Sequence, residues 1–216
     1  MGFVPELDAK RKAATQNRIL KTGFEVFAGK TIDATSIQQI ADAAGIGIAT
    51  VFRHFSSKDE LVAAVNTWAW SQYTNKGNPG LDREKQTAAE AFESYLDAFI
   101  DLYRNHKDLL RYNQFFNVYV MREGIPTKQM SPFLNIMDGV ATRFHAMYQK
   151  AMADGTLRTD VPEREMLSKT LHLMLAAVTR YAVGLVYDSG IDPEEELLFL
   201  KKLLLREYTV NPQATA

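Results

Sequence analysis

Apolar residues recur at helical spacing along almost the whole chain, and the alternating Val/Ile/Thr runs that mark strands are missing. The pattern predicts an all-α protein. A first helix over about residues 9–28 carries Ala13, Ile19, Leu20, Gly23, Phe24 and Phe27 as its apolar stripe, with Gly29 placed to end it. Thr35 and Gln38 have the spacing of a capping box. Ile37, Ile40, Ala41 and Ala44 then share one face until Gly45 breaks the helix. A very short helix over about 47–54 turns Val51 and Phe55 inward. Ser57 and Glu60 repeat the capping-box spacing and open a helix to about Tyr73. The segment NKGNPG, residues 75–80, is the clearest loop. Longer helices follow at about 83–104, 107–121, 127–153, 163–188 and 193–208. Asp192 and Pro193 mark the last start, and the residues after Tyr208 read as a frayed tail.

The stretch from Thr35 to Phe55 reads TSIQQIADAAGIGIATVFRHF. Two short helices joined by a tight glycine turn form a helix-turn-helix. Ile37, Ile40, Ala41 and Val51 are small or branched, so the helices cross closely, and Gly45 supplies a turn conformation costly for other residues. The second helix is too short to be stable alone. It needs its neighbours as a platform, and its outer face is left free for a major groove.

Phe24, Phe27, Thr35, IADAAGI and TVFRHFSSKDEL, in that order and spacing over about residues 14–64, resemble the TetR family of transcriptional regulators (TetR/AcrR-like). The remainder resembles the family in being helical and of the right length. The resemblance implies an N-terminal three-helix DNA-binding domain over residues 1–57, with helix 58–74 as connector. A C-terminal helical bundle over 75–216 would serve ligand binding and dimerisation. It also implies roles for single positions. Thr35 and the start of the second helix meet a phosphate. Gly47, Ile48 and Ala49 reach base edges, Thr50, Phe52, Arg53 and His54 face the groove and its walls, and Lys58 holds another phosphate beside a helix N-terminus. Family members commonly carry polar residues at the positions of Gly47 and Ile48 and tyrosine at Phe52. The reading face here is therefore unusually apolar. Gln38 and Gln39, methyl contacts and DNA shape are left to carry sequence preference.

Charge adds to this picture. The chain of 216 residues has a net charge of -1. Residues 1–58 nonetheless hold eight Lys/Arg (Lys10, Arg11, Lys12, Arg18, Lys21, Lys30, Arg53, Lys58) against five acids (Glu6, Asp8, Glu25, Asp33, Asp42). A modestly basic head on a neutral chain suits local phosphate contact. Lys10, Arg11, Lys12 and Arg18 read either as solvated charges or as an arm along the DNA backbone. There is no cysteine, so disulfides and thiolate chemistry are excluded. No apolar run reaches the roughly 20 residues that span a bilayer, and nothing near the N-terminus reads as a signal peptide. The expected location is cytoplasmic, with no membrane partner.

Aromatic and methionine residues crowd the second half. Most are expected in the core, but pockets between bundle helices are built of the same types with few polar groups. Tyr95, Phe99, Tyr103, Phe116, Asn117, Tyr119, Met137, His145, His172 and Tyr181 are the candidates for contact with a largely apolar small-molecule effector. The last two helices are apolar over more than one face, which calls for a partner as well as a core. Leu171, Leu175, Val178, Leu185, Leu197, Leu200 and Leu204 are the candidate homodimer interface. A two-fold dimer would set two recognition helices on a near-palindromic operator in double-stranded DNA.

The function expected is a ligand-responsive regulator, a repressor released from its operator by a small molecule. The helix over about 58–73 and that over 83–104 are its candidate levers. Two other classes stand beside it: a constitutive architectural DNA-binder without a ligand, and a helical enzyme. For the last, the four histidines (His54, His106, His145, His172) lack the spacing of a helical zinc site. GxSxG, Walker and GxGxxG motifs are absent. No cofactor is implied.

Overall fold

The computed structural model describes residues 5–74, 86–185, 190 and 192–210. Among them the chain forms α1 (Pro5–Gly29), α2 (Ile37–Ala43), α3 (Ile48–His54), α4 (Lys58–Thr74), α5 (Ala88–Asn105), α6 (Lys107–Glu123), α7 (Thr127–Asp154), α8 (Glu163–Ala182) and α9 (Pro193–Tyr208). The only β pairing among them is an isolated antiparallel bridge between Leu157 and Thr209. The expected all-α class is the observed one. The expected loop at 75–80 lies outside the described residues.

The chain gathers into two compact units that do not follow chain order. One comprises the residues up to Tyr73 together with Arg111–Ile136, and the other Thr74–Leu110 together with the residues from Met137 onward. Helices α6 and α7 therefore each contribute residues to both units.

In the first unit, Ile19 and Phe27 of α1, Ile40 of α2, Val51 of α3, Leu61 and Val65 of α4 and Tyr112 and Phe116 of α6 share one buried core. Tyr112 is completely buried, and its ring packs on Phe24 (5.5 Å between centroids) and Phe27 (6.3 Å). Its hydroxyl donates to the Val62 carbonyl at 3.0 Å, as a buried polar group must to avoid its desolvation cost. Trp68 Nε1 donates to Asn17 Oδ1 at 2.8 Å and ties α4 to α1. The turn between α2 and α3 rests on Gly45, whose φ of 64° is left-handed and strained for a residue with a Cβ.

The cap of α2 differs from the expectation by one residue. Ser36, not Thr35, is the N-cap: its hydroxyl accepts from the Gln39 N–H at 3.2 Å, and Gln39 Oε1 accepts from the Ser36 N–H at 2.8 Å. Thr35 is buried, and its hydroxyl donates to the Thr31 carbonyl at 2.8 Å. Spacing alone fits both pairs, and burial decides between them. Ser36→Ala is expected to cost about 1 kcal/mol by removing this cap, measured as a lowered urea midpoint, whereas Gln38→Ala should cost nothing comparable. The cap of α4 falls where expected, at Ser57, and only its return bond is displaced by one residue. Ser57 Oγ accepts from the Glu60 N–H, but the Glu60 carboxylate takes the N–H and hydroxyl of Ser56. The Ser56 hydroxyl holds the Glu60 carboxyl below its ordinary value.

In the second unit α5 packs on α8 and α9, and α8 on α9. Thr87 and Glu90 form a capping box that starts α5 later than expected from sequence. Phe92, Tyr95, Phe99 and Phe144 form an aromatic cluster with centroids 5.4–6.5 Å apart in the pairs that touch. Lys201 of α9 holds Glu93 (2.8 Å) and Asp97 (2.6 Å) of α5, and Arg104 of α5 holds Glu194 of α9. Helix α8 ends at Ala182, short of the expected 188, because Gly184 turns left-handed (φ 74°) just beyond its cap. Thr209 and Val210, expected to fray, are held. The Val210 N–H donates to the Thr156 carbonyl, and the Arg158 N–H donates to the Tyr208 carbonyl.

Candidate nucleic-acid interface

Helix α3 has seven residues and begins at N-cap Gly47, which offers no side-chain acceptor. Its anchor is Val51, fully buried, with Phe55 closing the helix on the same core. That leaves Ala49, Phe52 and Arg53 exposed and Ile48, Thr50 and His54 partly so. Phe52 keeps 48% of its surface in water, a large apolar exposure for an unpartnered ring. Arg53 Nη2 donates to Thr50 Oγ1 at 3.2 Å, which lays the guanidinium along the outer face.

Cations and acids both stand near the helix-turn-helix. Burial lowers the His54 pKa first, and the charges of Lys12 on α1 and Arg53 on α3 push it down further. An α1 lysine and an α3 arginine therefore lie within electrostatic reach of the same imidazole. Lys58, at the start of α4, is half-buried and sits 5.7 Å from the Tyr119 ring centroid. Burial is the main force holding its ammonium below the usual lysine value, against the stabilising charge of Asp33. Arg122 of α6 pairs with Asp33 in the α1–α2 loop and with Glu123 (2.7 Å). The Arg122 hydrogen bond holds the Asp33 carboxyl below its ordinary value. Tyr119 donates to Asp59 Oδ1 at 2.7 Å. Through these bonds α6 fixes both the loop before α2 and the first turn of α4, the two segments that flank the helix-turn-helix.

The other expected DNA-contacting residues are placed less openly. The side chain and N–H of Thr35 are both taken within the fold. Gln38 is exposed, and its amide donates to Asp42 at 2.6 Å. Gln39 is exposed, spends its oxygen on the α2 cap and lines an open cleft of about 430 Å³ with Glu25, Lys30 and Asp42. Sequence reading gave no role to Arg122, Asp33 or Asp59, because nothing in their spacing ties residues so distant in the chain.

The expected effector residues are divided between the two units. Tyr95 and Phe99 are buried together in the second unit, and Tyr103 meets Tyr181 there at 6.3 Å between centroids. Met137 is half-buried. His145 is exposed and bonded to Glu163 at 2.9 Å, and exposed His172 lies 3.5 Å from the Ser168 hydroxyl. Phe116, Asn117 and Tyr119 belong to the first unit. There Phe116 is core, Asn117 is exposed and Tyr119 holds Asp59. Among the described residues no cluster of His, Asp and Glu is arranged to hold a metal ion.

Of the expected interface residues, Val178, Leu197 and Leu204 point into the core of their own unit, because the apolar arcs of α8 and α9 are wider than one face. These three are corrected from interface to core. Leu171, Leu175 and Leu200 are half-buried, and Leu185 is exposed. The large exposed residues of the helices themselves are Leu173 on α8 and Phe199 and Leu203 on α9.

Residues 19–65 match the family model of bacterial regulatory proteins, tetR family. A stretch of 96 residues, 44% of the chain, is 31% identical to the HTH-type transcriptional regulator YerO of Bacillus subtilis (strain 168), covering 33% of that protein. The chain thus spans a third of that relative's length. A second relative from the same organism, the HTH-type transcriptional regulator YvdT, is 23% identical over 204 residues, covering 90% of this chain and 97% of that one. The crystal structure of the transcriptional regulator FadR from Bacillus subtilis in complex with stearoyl-CoA superposes with a TM-score of 0.68 at 17% identity. That superposition covers 87% of this chain and 96% of FadR, and it carries the fold.

Proposed function

We propose that the chain is a member of the TetR family of bacterial transcriptional regulators, a cytoplasmic, homodimeric repressor released from a near-palindromic operator by a small molecule. The observation that carries this reading is the outer face of α3. Val51 faces inward while Ala49, Phe52 and Arg53 are left in water, and Lys12 and Arg53 both act on His54 of the same helix. An anchored helix too short to stand alone, with a free face and cations beside it, suits a major groove and its phosphate walls. With Ala49 and Phe52 on that face, base preference rests on methyl contacts and DNA shape, and affinity on phosphates.

The effector would act by population shift. Ligand-bound protein favours an arrangement of the two DNA-binding units that no longer fits successive major grooves. Support for an apolar effector comes from the aromatic content of both units and from FadR, a protein of the same fold solved with stearoyl-CoA. Helices α6 and α7 are the natural levers, since each has residues in both units and α6 bonds Asp33 and Asp59. Among the described residues, no helix is long and apolar enough to cross a membrane.

Selection of binding sites from a random duplex pool tests the reading. The full-length chain should enrich inverted repeats with half-sites about one or two helical turns apart. Enrichment of single half-sites, or of none, would refute it. Lys58→Ala should weaken binding to all sequences alike. The slope of log affinity against log salt should fall by about 0.9, one phosphate's worth, as read by anisotropy titrations at several salt concentrations. An unchanged slope removes Lys58 from the phosphate contacts.

A further inference from the structure

Asn66 lies in the middle of α4, is 0% exposed, and has no hydrogen-bond partner for either its amide nitrogen or its amide oxygen. A buried amide with both ends unsatisfied is rare in native proteins and calls for a partner. Leucine would fill a similar volume without that cost. Trp70 follows one turn later on the same face of α4. On α7, Gln129 and Phe133 stand in the same one-turn relation, and the Gln129 side-chain oxygen is also buried and unpartnered. The rings of Trp70 and Phe133 meet at 6.5 Å, and those of Phe133 and Phe116 at 6.1 Å. These ring contacts bring the two faces together. All five residues belong to the first unit, the one that carries the helix-turn-helix.

From this we propose a small-molecule site inside the DNA-binding unit, walled by Trp70, Phe116 and Phe133 and addressed by Asn66 and Gln129. It takes a flat heteroaromatic ligand that presents a hydrogen-bond donor and acceptor side by side, as a lactam does. A carboxamide has its donor and acceptor on one edge, so it pairs with such a ligand through two parallel bonds, as asparagine does with adenine. The rings supply apolar faces for the ligand's body. Phe133 and Gln129 are half-buried, which makes their side the entrance. Pro132, between them, deprives the Lys128 carbonyl of its helical donor, so α7 yields most easily where it forms this wall. The site reaches the DNA head through α4, whose Leu61, Val62 and Val65 lie in the core that anchors α1 to α3. The proposal rests on the reading of the chain as a regulator switched by a small molecule, and it names the ligand class.

The test uses carbostyril, a bicyclic lactam, as probe and its O-methyl ether, which keeps the bicyclic ring but has no N–H, as control. Both are titrated calorimetrically into the full-length chain. Carbostyril should bind one per chain, at least tenfold tighter than the ether. Asn66→Leu should erase that preference without lowering the melting temperature. Gln129→Ala, at the rim, should weaken carbostyril alone and serves where Asn66→Leu misfolds. The site is refuted if neither compound binds, if both bind alike to the natural chain, or if carbostyril binding survives both substitutions. A high-resolution crystal structure with ordered water on both Asn66 amide atoms and no added carbostyril density refutes it too. Duplex binding measured on the same preparations separates the two ideas. DNA binding without carbostyril binding sinks only the site, while loss of DNA binding in the natural chain sinks the regulatory reading.

Discussion

Val51→Asp is expected to abolish DNA binding and to release α3 from the first unit. The side chain is completely buried in the core formed by α1, α2, α4 and α6. A carboxylate there loses its hydration, and Arg53, two residues along the helix, points to the opposite, exposed face. An uncompensated buried charge costs about 3–5 kcal/mol, a large part of the 5–15 kcal/mol by which a domain is stable at all. A seven-residue helix has no reserve of its own once its anchor is gone. Amide hydrogen exchange should therefore lose its protection across Ile37–Phe55 first, and duplex affinity should fall below detection. Phe52→Asp provides the contrast. That ring is half in water, so the fold should persist while DNA affinity falls, because the new charge faces phosphates. Equal protection and equal affinity in Val51→Asp and the natural chain would mean that α3 is not held by this face.

The helix-turn-helix was legible because local rules overdetermine it. Gly45 sits where the turn demands φ of 64°, and Val51, Ile40 and Ala41 fall on facing sides of two helices. Legibility failed wherever two local solutions shared one pattern. Thr35/Gln38 and Ser36/Gln39 have identical spacing, and only the burial of Thr35 against the Thr31 carbonyl selects Ser36. The apolar run continues past Ala182, but Gly184 turns left-handed and stops α8. Long-range choices left no local trace. Nothing in the sequence marks Leu110/Arg111 as the point where α6 passes from one unit to the other, so composition alone groups Phe116 and Tyr119 with Tyr95. A lone asparagine within LVAAVNTWAW is a polar residue in a segment otherwise fit for a core.

The homodimer reading makes its sharpest demand on α9. Phe199 and Leu203 are one turn apart on one face, 58% and 41% exposed, while Leu197 and Leu204 on the same helix are buried. Leu173, 42% exposed, adds to the apolar surface from α8, which packs on α9. A second copy of this chain would bury that surface in a two-fold interface. Phe199→Glu combined with Leu203→Glu should then give a monomer, since each interface would take up four carboxylates in place of apolar side chains. Stability of the isolated chain should change little, because exposed positions tolerate substitution to within about 0.5 kcal/mol. Operator affinity should nevertheless fall about 10²–10⁴-fold, because the second recognition helix is no longer tethered to the first. Binding to a single half-site should be unchanged. Sedimentation velocity and anisotropy on full and half operators read the two effects separately. A variant that still sediments as a dimer would place the interface elsewhere. A monomer with undiminished affinity for the full operator would show that the paired recognition helices do not act together, and the near-palindromic operator would fall with them.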